Sequence, residues 1–159
     1  MAQHRIPAMV TATPELLGAY LAALYRVRLD GGEMALRIGQ PAPPVLAHAL
    51  PAASWTLVTA WNPQSVPRDE ASNHAAGAAL EAELHARGLA VLPAEAGDAD
   101  DGWHEPGLLV ADVPAREADA IARRYGQAGL LHWRMGQPVR LRMYRPRPPG
   151  DRTPHVDWP

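Results

Sequence analysis

Apolar residues recur along this chain with two periods, and each change of period marks an element boundary. Leu16, Leu17, Tyr20, Leu21 and Leu24 fall at helical spacing, which predicts a helix over about 14–24. Thr13 can cap it, and Pro14 suits its first turn, where a missing N–H costs nothing. The period then drops to two. Tyr25, Val27 and Leu29 alternate with Arg26 and Arg28, Asp30-Gly31-Gly32-Glu33 turns the chain, and Leu36 and Ile38 alternate on the return. That is a hairpin. Pro41, Pro43, Pro44 and Pro51 punctuate the next stretch, a connector with room for one helical turn near Val45–Leu50.

A continuous apolar strand follows, Trp55 to Trp61, then the polar turn Asn62-Pro63-Gln64-Ser65. A helix from about Ser72 to Arg87 buries Ala76, Leu80 and Leu84 and stops at Gly88. Leu89–Pro93 reads as a short strand, and 94–106 as a polar loop in which Trp103 packs. Gly107–Val113 is the next strand. Ala118, Ile121, Ala122 and Tyr125 give the following helix its stripe, and Gly126 ends it. Residues 129–134 and 139–144 form a hairpin about Gly136-Gln137, and the proline-rich remainder is an extended tail. From Trp55 to Arg134 the order is therefore strand, helix, strand, strand, helix, strand, a split βαβ. The expected fold is α+β: an antiparallel or mixed sheet, helices on one face, and a ferredoxin-like core with extra strands at both ends. Residues 1–144 make a single domain and 145–159 a Pro/Arg-rich tail.

Composition narrows the chemistry. At 159 residues the chain suffices for one domain burying about 68–70% of its unfolded surface. All 15 basic residues are Arg and there is no Cys, which excludes Schiff-base and thiol chemistry and a phosphate-loop lysine. No apolar run approaches the ~18–20 residues of a membrane span, and Met1–Arg5 lacks the pattern of a signal peptide. Cytoplasm is the default. The net charge of −2 divides into +4 from Arg134 onward and −6 before it. A basic segment of this kind suits either an anionic partner or a solvated edge strand.

The seven His form no His-x-x-x-His pair, and Asp98-x-Asp100 fails the calcium-loop register at Gly102 and Trp103. No metal or cofactor is expected. Neither a nucleophile elbow nor a dinucleotide-binding turn is present, and Ser65 has no His in motif spacing, His74 included. The remaining candidates are polar residues at element ends. Asn62 can fix a turn or hold a ligand amide. Asn73 can cap a helix or face an anion near its positive end. Trp103 and Glu105 share a face of extended chain, and a carboxyl desolvated by an indole has the environment of a general acid or base. A Trp lidding the core beside an Arg-paired Glu fits the same residues. Gln127 offers an amide at a loop mouth.

Thr59-Ala60-Trp61-Asn62-Pro63 with Ser65, then Asn73, Leu80 and Leu84, resembles the opening block of the bacterial domain-of-unknown-function family 3293. Trp103-x-Glu105-Pro106 and Tyr125-Gly126-Gln127-Ala128 resemble its second and third blocks, and the likeness runs from about Tyr20 to Arg142. The family pattern favours Ser two positions after the Glu, where this chain has Gly107. The resemblance supplies positions and no mechanism. Glu105 is thus the candidate acid or base, and Asn62, Ser65, Asn73, Trp103 and Gln127 the candidate binding residues. In a ferredoxin-like order Asn62 and Asn73 lie at the end of the first strand. Trp103, Glu105 and Gln127 are expected at the opposite end, in a second cluster, unless the strand order differs.

Three functions compete. The first is a small-molecule site built on these residues, with Trp103 excluding water. The second is an interaction module that meets a protein or nucleic acid through Arg134, Arg140, Arg142, Arg145 and Arg147, with Trp133 and Tyr144 stacking on bases; the negative total charge weighs against nucleic acid. The third makes the polar residues purely structural.

Overall fold

The computed structural model describes residues 11–98 and 103–159. The N-terminal Met1–Arg5 segment and the Asp100–Gly102 part of the rejected calcium loop lie outside the described residues. The elements run α1 (Thr13–Ala22), β1 (Leu24–Leu29), β2 (Gly32–Leu36), α2 (Val45–Ala49), β3 (Ser54–Val58), a 3-10 turn (Pro63–Ser65) and α3 (Glu70–Ala86). They continue with β4 (Val91–Gly97), β5 (His104–Ala111), α4 (Ala115–Arg124), β6 (Gly129–Arg134), β7 (Leu141–Met143) and β8 (Val156–Asp157). Among the described residues, eight strands join one sheet in the order β2-β1-β4-β5-β3-β6-β7-β8. Every neighbouring pair is antiparallel except β7–β8, which is parallel. The protein is therefore α+β with a mixed, mostly antiparallel sheet. Among the described residues no helix is long and apolar enough to cross a membrane.

Alternation along the central strands feeds two cores, because successive side chains point to opposite faces. Val58, Leu108, Val110 and Leu130 meet Leu80 and Leu84 of α3 and Ile121 of α4 on one face. On the other, Leu57, Leu109 and Leu131 join Leu16 and Leu17 of α1 and Leu46 of α2. Fully burying a leucine of this kind contributes about 1.5–3 kcal/mol relative to leaving it exposed. Helices thus cover both faces, a correction to the expected one-sided arrangement. The N-terminal helix and the proline-rich connector supply the second layer.

Several element ends differ from expectation for local reasons. At α1 the cap is Ala12 without a side-chain bond, so Thr13 does not cap. Asp69 caps α3 by accepting from the Ser72 N–H at 2.8 Å, which puts Asn73 within the helix and leaves its amide for other work. At both ends of the polar stretch, residues 94–97 and 104–106 are strand: Ala94↔Gly107 through Gly97↔His104 extend the β4–β5 ladder through residues whose composition suggested a loop. The extended segment after Arg145 returns to the sheet at β8, where Asp157 accepts two hydrogen bonds from Arg140 at 2.9 and 3.0 Å.

Candidate functional site

The site begins where β3 ends. After Val58 the chain turns sharply, and Asn62, Gln64 and Ser65 adopt φ of +44°, +55° and +57° around Pro63. Left-handed backbone is uncommon for residues other than glycine and costs on the order of 1–3 kcal/mol where it is sparsely populated, so the surroundings must hold it. They do so through backbone and amide groups. The Asn62 N–H donates to Asn73 Oδ1 (2.9 Å), and Asn73 Nδ2 donates back to Asn62 Oδ1 (2.8 Å). Arg68 Nε also donates to Asn73 Oδ1 (2.8 Å), and its guanidinium reaches the Ala60 carbonyl (3.0 Å). From the far side, Gln127 Nε2 donates to the Trp61 carbonyl (3.0 Å), and the Gln64 N–H donates to the Gly126 carbonyl (2.9 Å). Gly126 is itself at φ +66°, and a Cβ there would stand 3.0 Å from Pro63 Cβ.

One polar hydrogen atom points out of this clamp. Asn62 Nδ2 donates to Glu105 Oε1 at 2.9 Å. The two-cluster expectation is therefore wrong, and strand direction explains why. β5 runs antiparallel to β3, so its start, at Glu105, flanks the end of β3. β6 is antiparallel to β3 as well, so Gln127, just ahead of it, arrives at the same end. The directions of β3, β5 and β6 bring these residues to one end of the sheet.

A cavity of about 320 Å³ opens beside Glu105. Its polar end includes Thr59, Asn62, Ser65 and Glu105, with the aromatic residues Tyr20 and Tyr25; Leu16, Ala19, Ala23, Leu57 and Leu131 form apolar wall. Trp103 also lines it but is 41% exposed, at the rim. Asn73 and Gln127 are buried and do not line the cavity. Their amides support the turn. His74 meets the Trp61 ring edge-on at 5.1 Å and pairs with Glu70, not with Ser65.

Burial pushes the Glu105 carboxyl above its ordinary value, and the hydrogen bond from Asn62 pulls back only in part. Tyr20 is pushed up to about 12, chiefly by burial and then by the adjacent Glu105 charge, against a hydrogen bond from Ser65. Burial, with Tyr20 and Glu105 behind it, holds Tyr25 well above the usual tyrosine range. The arrangement is a largely desolvated acid and two neutral phenols around one space. It can hold a proton or accept one, and it has no nucleophile–base pair. Among the described residues no three His, Asp or Glu side chains gather in a group that could hold a metal.

Residues 58–130 match the family model described as protein of unknown function (DUF3293). This stretch is a DUF3293 domain. No curated protein and no solved structure matches the chain. The match is narrower than the resemblance from Tyr20 to Arg142. It spans Asn62, Ser65, Asn73, Trp103, Glu105 and Gln127 but stops short of Tyr20 and Tyr25. Gly107, where the chain departs from the pattern of the resemblance, lies within the matched stretch. A Cβ on Gly107 would stand 2.6 Å from the Val58 carbonyl oxygen, so any side chain there requires β3 and β5 to shift apart. Sequence reasoning missed Tyr20 and Tyr25, which read as plain apolar positions. It also missed Arg68, whose only signal was its place between Asn62 and Asn73.

Proposed function

We propose that the cavity binds a small molecule with a polar head and a short apolar body, and that Glu105 holds or moves a proton on that head. The observation that carries this reading is a carboxyl desolvated at the wall of a cavity and oriented by one neutral donor, Asn62. Ligand sites begin near ~300 Å³ and combine apolar lining with a few placed polar groups, as here. In this reading Asn62 and Ser65 touch the ligand, Trp103 guards the mouth, and Asn73 and Gln127 position the turn. The antiparallel β4-β5-β3-β6 order supports treating the core as ferredoxin-like, with residues 1–144 as the domain that carries the site.

The interaction-module reading has less support. Arg140 and Arg142 each form paired hydrogen bonds to an aspartate, Arg145 binds Gln64 and Thr11, and Arg147 binds the Asp151 carbonyl. Trp133 is 1% exposed and cannot stack on a base. A thermal-shift screen of small metabolites tests the proposal, since a ligand stabilises the folded state by mass action. Compounds that raise the melting temperature of the natural chain should lose that effect on Glu105→Gln. If every stabilising compound acts equally on the variant, the site lies elsewhere.

A further inference from the structure

The hydrogen-bond ledger around the cavity is lopsided. Donors are largely engaged inward: Asn62 Nδ2 to Glu105, Thr59 Oγ1 to the Pro106 carbonyl (2.6 Å), and the Tyr25 hydroxyl to the Tyr20 carbonyl (2.8 Å). The Tyr20 hydroxyl donates to the Gly129 carbonyl (3.4 Å) and interacts with Ser65. Acceptors are what remain. Among the described residues no group donates to Glu105 Oε2, and the oxygens of Tyr20 and Ser65 keep free lone pairs.

The charge is lopsided too. Among the described residues, Glu105 is the one Asp or Glu in the lining, which contains no Arg, and His104 is the other titratable group at the wall besides the two tyrosines. Arg145, near enough to influence Tyr20, directs Nε to Gln64 (3.1 Å) and Nη1 to the Thr11 carbonyl; its Nη2 is buried without a partner among the described residues, and Arg145 does not line the cavity. A desolvated carboxylate with one neutral donor gains most from a cation and repels an anion. An alkylammonium group brings three N–H donors to these acceptors. Tyr20, Tyr25 and Trp103 place aromatic rings around the same space, which favours a cation further.

We infer that the cavity selects a small organic ammonium ion with a short apolar body over neutral and anionic molecules of the same shape. This rests on the reading of the cavity as a binding site, and the experiment separates the two. The full chain is titrated with n-butylammonium, butan-1-ol and butyrate, followed by NMR shifts of the Trp103 and Tyr20 signals. Butylammonium should bind about tenfold more tightly than butanol, the order of a charge-assisted hydrogen bond, with butyrate weakest. Glu105→Gln, its fold checked by circular dichroism, should remove the advantage of butylammonium over butanol. The ranking on the natural chain needs no variant. Butanol or butyrate binding as tightly as butylammonium overturns the cation preference while leaving the cavity reading intact, and equal butylammonium binding to Glu105→Gln overturns it too. Failure of all three to bind overturns the cavity reading itself.

Discussion

Two carboxyl groups sit on opposite faces of the sheet, and the chain treats them in opposite ways. Asp119, on α4, accepts Arg142 Nε and its terminal nitrogen at 2.8 and 2.9 Å and the Tyr144 hydroxyl at 2.7 Å. Burial opposes its ionisation, but Arg142 and Tyr144 together outweigh burial and hold the carboxyl below its ordinary value. Glu105 has one neutral donor and a cavity beside it, and its carboxyl is held above the ordinary value. Both side chains are withdrawn from water. What differs is completion: Asp119 has its charge and both oxygens answered within the chain, whereas Glu105 is left short. A structural carboxylate and a candidate site carboxyl are told apart by that shortfall, not by depth.

The contrast can be broken most forcefully from the Asp119 side. Asp119→Asn strips the charge from a largely buried pair and should cost about 3 kcal/mol of stability in urea unfolding, because Arg142 keeps its charge. Asn73→Ala attacks the clamp around Glu105, leaving the Asn62 N–H and Arg68 Nε without their acceptor. A loss of about 2 kcal/mol is expected, with Glu105 less firmly oriented. Removing one of the donors to Asp119 with Tyr144→Phe should cost about 1 kcal/mol by the same measurement. Glu105→Gln should have the smallest effect at neutral pH, since its amide oxygen can still accept from Asn62.

That last variant has its clearest signature in pH dependence. A carboxyl raised in the folded state contributes stability fully present below its unfolded value, ordinarily near 4.5, and lost as pH rises through the folded value. Asp119 is lowered, so its contribution is present above an ordinary value of 3.8 and lost as pH falls through the folded one. Melting temperatures from pH 3 to 8 should therefore show Glu105→Gln removing a decline above pH 4.5 and Asp119→Asn removing a rise across the acid range. Parallel profiles for the two variants would abolish the contrast.

Much of this architecture was legible in the chain. Leu80 with Leu84, and Ala118 with Ile121 and Ala122, declare their helices by period alone, and β3 declares itself as a continuous apolar run. The outer half of the β4–β5 ladder did not show, because Glu95, Ala96 and Glu105 carry no apolar alternation; pairing with a neighbour, not burial, makes them strand. The covering of the second face escaped notice because α1 has only two buried leucines, too few to announce a core. At the site, short motifs located Asn62 and Glu105 but not their meeting, which depends on the direction of three strands. Tyr20 was hidden by type, since its ring satisfies an apolar stripe while its hydroxyl belongs to the cavity.

The walls of the cavity come from two stretches of chain with different pedigrees. Glu105, Asn62 and Ser65 fall within the DUF3293 match, whereas Leu16, Tyr20 and Tyr25 lie before it. A relative could inherit the acid and its orienting amide unchanged while redrafting the helix and hairpin that face them. Recognition of the head group and tolerance of the tail would then diverge independently, and a shared DUF3293 domain would not oblige two proteins to take the same molecule.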